Sequence, residues 1–250
     1  MKALITGASS GIGKDMARYL SSFGYDLILV ARRKTYLENL KKELSTNVKI
    51  IPYDLAVQDN LDNLWYEVKD EDIDLLVNNA GFGLFGEFDK TDLDREFEMI
   101  DVNIKALHYL TKKFLIKFKK EDKGRILNVA SSAGFMAGPK LSTYYASKNY
   151  VLRLSEAIYE ELKVAKSNVH ISCLCPGPVD TEFNKVAHGE FHTKSLISEY
   201  VAKYAIDHSL KNKLYIIPSF RMKAAIFLTR LIPRKLLLKI TYLIQDRKTR

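Results

Sequence analysis

Two hundred and fifty residues, 47% of them hydrophobic and 28% charged, are enough chain for one large buried core, so a single domain spanning residues 1–250 is expected. No apolar run reaches the ~18 residues that a membrane span needs, and glycines interrupt the N-terminus too early for a signal peptide. The formal charge is +9, yet residues 211–250 carry eleven Lys/Arg against the single acid Asp246, which leaves the first 210 at −1 and argues against a nucleic-acid-binding domain.

The first expected strand, Lys2–Thr6, runs into TGASSGIG at residues 6–13. Gly7, Gly11 and Gly13 stand among small residues there, and a helix is expected near 11–23, where Ile12, Met16 and Leu20 repeat every four residues. Strand, glycine turn and helix in this order aim free backbone N–H groups and the positive helix end at an anion, typically a dinucleotide pyrophosphate. Tight packing of helix on strand alone would also select glycine. Strands at Asp26–Ala31, Val48–Tyr53 and Ile73–Asn78 alternate with helices near 34–45 and 58–70. A long helix is expected over 91–119, with Ile100, Ile104 and His108 repeating every four residues. Strand Arg125–Ala130, helix 142–165, strand Val169–Leu174, helix 196–211 and strand Leu214–Ile217 complete the alternation. Such alternation argues for an α/β fold, a doubly wound parallel sheet of seven strands with helices on both faces.

Cys173 and Cys175 are the only cysteines. Two apart on one strand face, they make a poor disulfide and too small a metal cage, which suits buried reduced thiols in a cytoplasmic protein. HGEFH places His188 and His192 four apart, but Gly189 weakens a helix there and the glutamate is misplaced for a zinc motif, so no metal is expected. Residues 221–250 mix basic residues with Ile, Leu and Phe and break at Pro233, the pattern of two short amphipathic helices. Their apolar faces would close a substrate pocket or a subunit interface, or else lie peripherally on an anionic membrane.

Four further stretches fall at strand ends and at the start of a helix: NNAG at 78–81, SSAG at 131–134, YYASK at 144–148 and PGPVDT at 176–181. Together with Gly-x-x-x-Gly-x-Gly at 7–13 they resemble the short-chain dehydrogenase/reductase family in its compact branch, closely over residues 1–181 and loosely beyond. The resemblance implies a Rossmann-type sheet and an NADP(H)-dependent carbonyl reductase or alcohol dehydrogenase, working as a homodimer or homotetramer. A catalytically quiet dinucleotide-binding regulator on the same fold is the alternative.

The family's Tyr-x-x-x-Lys maps to Tyr144 and Lys148, since Tyr145 is only three residues from the lysine. Four apart, Tyr144 and Lys148 share a helical face, and the ammonium is expected to lower the phenol pKa. By resemblance Tyr144 is the acid/base and Lys148 also holds the nicotinamide ribose. Ser131, thirteen residues before Tyr144 and followed by two residues and Gly134, fits the catalytic serine, leaving Ser132 as a turn residue. Asn103 in DVNIKA matches an asparagine that perturbs its helix and holds a proton-relaying water.

For the cofactor, the resemblance implies Gly7, Ser9, Ser10, Gly11, Ile12 and Gly13 in the glycine turn, and Asp54 and Leu55 beside the adenine. It further implies Asn79, Ala80 and Gly81, then Pro176, Gly177, Val179 and Thr181 toward the nicotinamide. NADP(H) is expected over NAD(H) because the second strand ends LVARRK: Ala31 stands where NAD-preferring relatives carry an acid, and Arg32, assisted by Arg33, suits a 2′-phosphate. Ser10 occupies a position where many NADP-preferring members are basic. Phe82, Phe85, Phe135, Met136, Phe183 and Phe191 are candidates for a pocket taking a moderately apolar carbonyl compound. Residues 182–250 are expected to supply a substrate loop and a C-terminal helical region.

Overall fold

The computed structural model describes residues 1–183, 187 and 195–246. Strands β1 (Lys2–Thr6), β2 (Asp26–Val30), β3 (Val48–Ile51), β4 (Leu75–Asn78), β5 (Arg125–Val129) and β6 (His170–Leu174) follow one another along the chain. The short β7 (Val179–Asp180) and β8 (Leu196–Ile197) pair only with each other, and β9 (Tyr215–Ile216) returns to the main sheet. That sheet has seven parallel strands in the order β3-β2-β1-β4-β5-β6-β9.

Because side chains alternate along a strand, each apolar run feeds two cores. Leu4, Ile28, Leu76, Ile126 and Ile171 point to one face, covered by α3 (Gln58–Val68), α5 (Leu107–Glu121) and α6 (Ser142–Val164). Ile5, Leu29, Val77 and Leu127 point to the other, covered by α1 (Gly11–Ser22), α2 (Lys34–Glu43) and α7 (Ser198–Leu210). Met16, Ala17 and Leu20 form the buried stripe of α1, and Phe114 and Phe118 of α5 are fully buried. Each such side chain contributes about 1.5–3 kcal/mol of transfer free energy, so the sandwich is held mainly by its two apolar layers. The strand order reverses between β1 and β4, and a crevice opens there outside the carboxyl ends of the strands.

The segment expected as one helix over 91–119 is three. Asp92 caps α4 (Leu93–Ile100) by accepting from the Arg95 amide at 2.8 Å, and a wide π turn, Asp101–Ala106, joins it to α5. The extra residue in that turn rotates the face that follows. Val102, Asn103, Ala106, Leu107 and Leu110 therefore go inward, whereas His108 of the expected repeat is exposed and meets the Tyr150 hydroxyl at 2.7 Å. Residues Leu196–Ile197 are strand rather than helix, because they pair with β7 before α7 begins. Several strands also end one or two residues short of their apolar runs. Cys173 and Cys175 are buried free thiols with their sulfurs 3.8 Å apart.

After β9 the chain forms α8 (Phe220–Thr229) and α9 (Arg234–Asp246) on either side of Pro233. No described helix is long and apolar enough to cross a membrane.

Candidate active site

At the end of β1 the chain turns through Gly7, whose φ of 65° suits glycine. Thr6 Oγ1 accepts from the amides of Asn79 (3.0 Å) and Ala80 (3.1 Å), and Asn79 Nδ2 donates to the carbonyls of Thr6 (3.0 Å) and Gly7 (3.2 Å). These bonds lock β1 to β4 at the point where the sheet order reverses. A Cβ on Gly13 would stand 2.5 Å from the Gly7 carbonyl oxygen and collide with the Asn79 amide, so Gly13 is a packing glycine behind the crevice wall. Ser9, Ser10, Gly11 and Ile12 form the wall itself, part of a cavity of about 800 Å³. Ser10 makes no side-chain cap, and α1 has no acid in its first turn, so the open N–H groups and positive helix end fit a diphosphate.

Along the same cavity lie Ala31, Arg32 and Arg33, then Asp54 and Leu55, then Ala80 and Gly81. Arg32 is held by Glu98 at 2.7 Å and Asp54 at 3.6 Å; Arg33 reaches Ser9 Oγ at 3.1 Å and Glu182 at 2.9 Å, with its guanidinium over the Tyr36 ring. Asp54 turns its own loop by accepting from the Ala56 amide at 3.0 Å, whereas Val57 is the N-cap residue of α3. Pro176, Gly177, Val179 and Thr181 close the opposite side.

The motif residues of β5 and α6 meet deeper in. Ser131 caps a single 3-10 turn, Ser132–Phe135, by accepting from the Ala133 amide at 3.1 Å, and its hydroxyl lies close enough to the Tyr144 phenol to favour the ionised form. Lys148, buried one helical turn after Tyr144, donates to the Val129 carbonyl at 2.9 Å, its ammonium 5.8 Å from the Tyr144 ring centre. Ser131, Tyr144 and Lys148 all face the cavity, but Asn103 does not. Its fully buried amide donates to the Phe82 carbonyl (2.9 Å) and Ser147 Oγ (3.0 Å) and accepts from the Phe82 amide (3.0 Å).

Electrostatics here differ from the expectation that Lys148 lowers the Tyr144 pKa. Burial dominates: it pushes Tyr144 up to about 12, against an opposing pull from the Ser131 hydroxyl. The same loss of water pulls Lys148 down to about 8. At neutral pH the phenol therefore keeps its proton and the ammonium stays largely charged.

Phe82, Met136 and Phe183 line the cavity as expected, while Phe85 packs with Leu141 and Ala187 and Phe135 packs toward Tyr215. Phe191, His188 and His192 lie outside the described residues. The far wall comes from side chains that sequence reasoning missed: Tyr145 on α6, Met222 on α8, and Thr241, Ile244 and Gln245 on α9. Gln245 Nε2 donates to the Tyr145 hydroxyl at 2.5 Å, and its Oε1 is buried without a partner among the described residues. Lys140 and Asp246, 2.5 Å apart, pin the end of α9 to the loop before α6. The only signal in the chain was two polar residues four apart, Thr241 and Gln245, inside an apolar stretch.

Residues 1–190 match the family described as short chain dehydrogenase. The chain belongs to the short-chain dehydrogenase/reductase family. It is 34% identical over 181 residues to an uncharacterized oxidoreductase of Staphylococcus epidermidis, covering 72% of this chain and 78% of that one. A short-chain dehydrogenase from Sphingobium yanoikuyae, solved in complex with NADPH, superposes with a TM-score of 0.83 at 28% identity, covering 92% and 93% of the two chains. A bulky-bulky ketone specific alcohol dehydrogenase from Comamonas testosteroni gives a TM-score of 0.78 at 26% identity, covering 92% of each.

Burial of Lys148 in this short-chain dehydrogenase has a thermodynamic consequence. Its folded pKa is about 8, below the ~10.4 of an unfolded lysine. Between about pH 8 and pH 10 the unfolded chain holds a proton that folded Lys148 has released, so this residue's contribution to stability grows as pH rises. Thermal melts should show wild-type Tm rising relative to Lys148→Met across that interval. A constant difference would rule out the shift.

Proposed function

We propose that this chain is an NADP(H)-dependent carbonyl reductase or alcohol dehydrogenase, with Tyr144 as the group that gives or takes the proton. The observation that carries the reading is the convergence of Ser131, Tyr144 and Lys148 on one wall of a cavity whose other end is the uncapped N-terminus of α1. NADP(H), when bound, supplies or accepts the hydride. Ser9, Ser10, Gly11 and Ile12 hold its diphosphate, Asp54 and Leu55 flank its adenine, and Asn79, Ala80 and Gly81 support the middle of the trough. Lys148 holds the nicotinamide ribose, with Pro176, Gly177, Val179 and Thr181 beyond it. Ser131 donates to the substrate oxygen and orients it, and the neutral Tyr144 phenol delivers the proton in the reducing direction.

Residues 1–250 act as one catalytic domain in this reading, with the stretch from 182 onward supplying the far wall and a homodimer or homotetramer as the assembly. Phe82, Met136 and Phe183 favour a moderately apolar carbonyl compound. The NADPH complex of the Sphingobium relative and the ketone named for the Comamonas enzyme support cofactor and substrate class alike.

Cofactor choice rests on Ala31, Arg32 and Arg33. A 2′-phosphate takes Arg32 from Glu98 or shares it, whereas NADH offers no such anion. Steady-state kinetics of the purified protein on a panel of ketones and aldehydes should therefore favour NADPH. In Arg32→Ala, kcat/KM for NADPH should fall about ten- to a hundredfold, as for the loss of a charge-assisted bond, and that for NADH should hardly change. Equal efficiency with both cofactors in the wild type defeats the preference; no turnover of any carbonyl defeats the function.

A further inference from the structure

The last two helices are mounted with the polarity of an ordinary surface helix reversed. On α9, Thr241 and Gln245 are buried against the cavity, while Leu236, Leu238, Ile240, Tyr242 and Leu243 face outward. On α8 only Ile226 is buried, and Phe220 is 84% exposed and Phe227 59%. Between the helices Leu231 is 69% exposed. Clustered exposed residues of this kind mark an interaction site, because a lone domain gains nothing by leaving them in water.

Charge identifies the occupant. Arg221, Lys223, Arg230, Arg234, Lys235 and Lys239 are interspersed with the apolar side chains and exposed. None forms a salt bridge among the described residues, and Asp246, the one acid of the span, is already paired with Lys140. A second copy of the chain meeting this face through a two-fold axis would set like charges against each other. An anionic bilayer complements the face instead: apolar side chains enter the acyl boundary and the basic groups stay among the headgroups. Neither helix is long and apolar enough to span, so both lie along the surface.

We propose that α8 and α9 form a docking face for an anionic membrane surface. Their inner sides carry Met222, Thr241 and Gln245 of the cavity wall, so docking sets that wall against the bilayer. On the carbonyl-reductase reading above, a substrate dissolved among acyl chains then enters the cavity without crossing bulk water.

The test is co-sedimentation of the full-length protein with vesicles, which requires no turnover and so stands apart from the assay of function. Vesicles of phosphatidylcholine alone are compared with vesicles containing phosphatidylglycerol, at low and high salt. The protein should pellet with the anionic vesicles only, and salt should release it. A variant with Arg230→Gln, Arg234→Gln, Lys235→Gln and Lys239→Gln should bind on the order of a thousandfold more weakly, given the usual headgroup attraction per basic residue. A second variant, Phe227→Ser with Leu231→Ser and Leu243→Ser, should also lose binding. Both should keep the wild-type Tm and NADPH affinity, since none of the seven residues lines the cavity. Wild-type protein that ignores anionic vesicles, or binds neutral ones equally well, overturns the proposal. So does a serine variant that turns a dimer into a monomer while the wild type binds no vesicle, because the face then belongs to a second copy.

Discussion

Tyr144→Phe is expected to lower kcat for carbonyl reduction by about 10²–10⁴, the span associated with losing a positioned general acid. Binding of NADPH and the Tm should hardly change, because phenylalanine keeps the ring that packs 5.2 Å from Phe183 and removes only a hydroxyl. On the proposed reading that hydroxyl carries the proton to be transferred, and burial keeps the proton on the oxygen throughout the neutral range. The adjacent ring provides an internal control. Tyr145→Phe breaks the bond to Gln245 at the far wall, so it should raise KM for substrates that use this wall and leave kcat close to wild type. Ser131→Ala should cost about 10²–10³ in kcat, in line with loss of one donor to the reacting oxygen, while Ser132→Ala should be mild. Near wild-type rates in Tyr144→Phe, with collapse in Tyr145→Phe, would falsify the assignment.

Ser131, Tyr144 and Lys148 were legible because their motifs are short and local. A serine at a strand end and a tyrosine and lysine one helical turn apart keep their relation once the strand and helix exist. The sheet was legible for a similar reason, since strands buried on both faces read as continuous apolar runs, and only their frayed ends were misjudged. Asn103 was found by its motif, yet its surroundings were not, because a π turn leaves no periodic mark and the four-residue rhythm through Ile104 and His108 ran on across it. Phe85 and Phe135 stand beside motif residues in the chain but turn into neighbouring packing, which adjacency cannot reveal. The α9 wall was hidden most completely: amphipathic logic points leucines inward, and here Thr241 and Gln245 go in while the leucines stay out.

Asn103→Ala is the second large effect expected, and it separates two roles for this side chain. By resemblance the asparagine holds a relaying water; in the structure its amide grips both polar groups of Phe82 and the Ser147 hydroxyl. Alanine leaves the Phe82 N–H and C=O buried without partners, at about 1–3 kcal/mol each. The Tm should therefore drop by roughly 5–15 °C for a chain of this size. The loop it releases is close to the reacting groups, since a Cβ on Gly81 would stand 2.9 Å from Asn103 Oδ1 and 3.2 Å from Lys148 Nζ. Slack at Gly81 and Phe82 lets water reach Lys148, relieves the desolvation that holds its pKa near 8, and moves the high-pH limb of the kcat profile upward. Asn103→Asp should recover little, because a carboxylate accepts from the Phe82 amide but cannot donate to its carbonyl or to Ser147. A fall in kcat with an unchanged Tm and an unmoved pH limb would assign Asn103 to the proton path. Melting and the pH profile shifting together assign it to positioning, with the π turn of Asp101–Ala106 as the device that aims it inward.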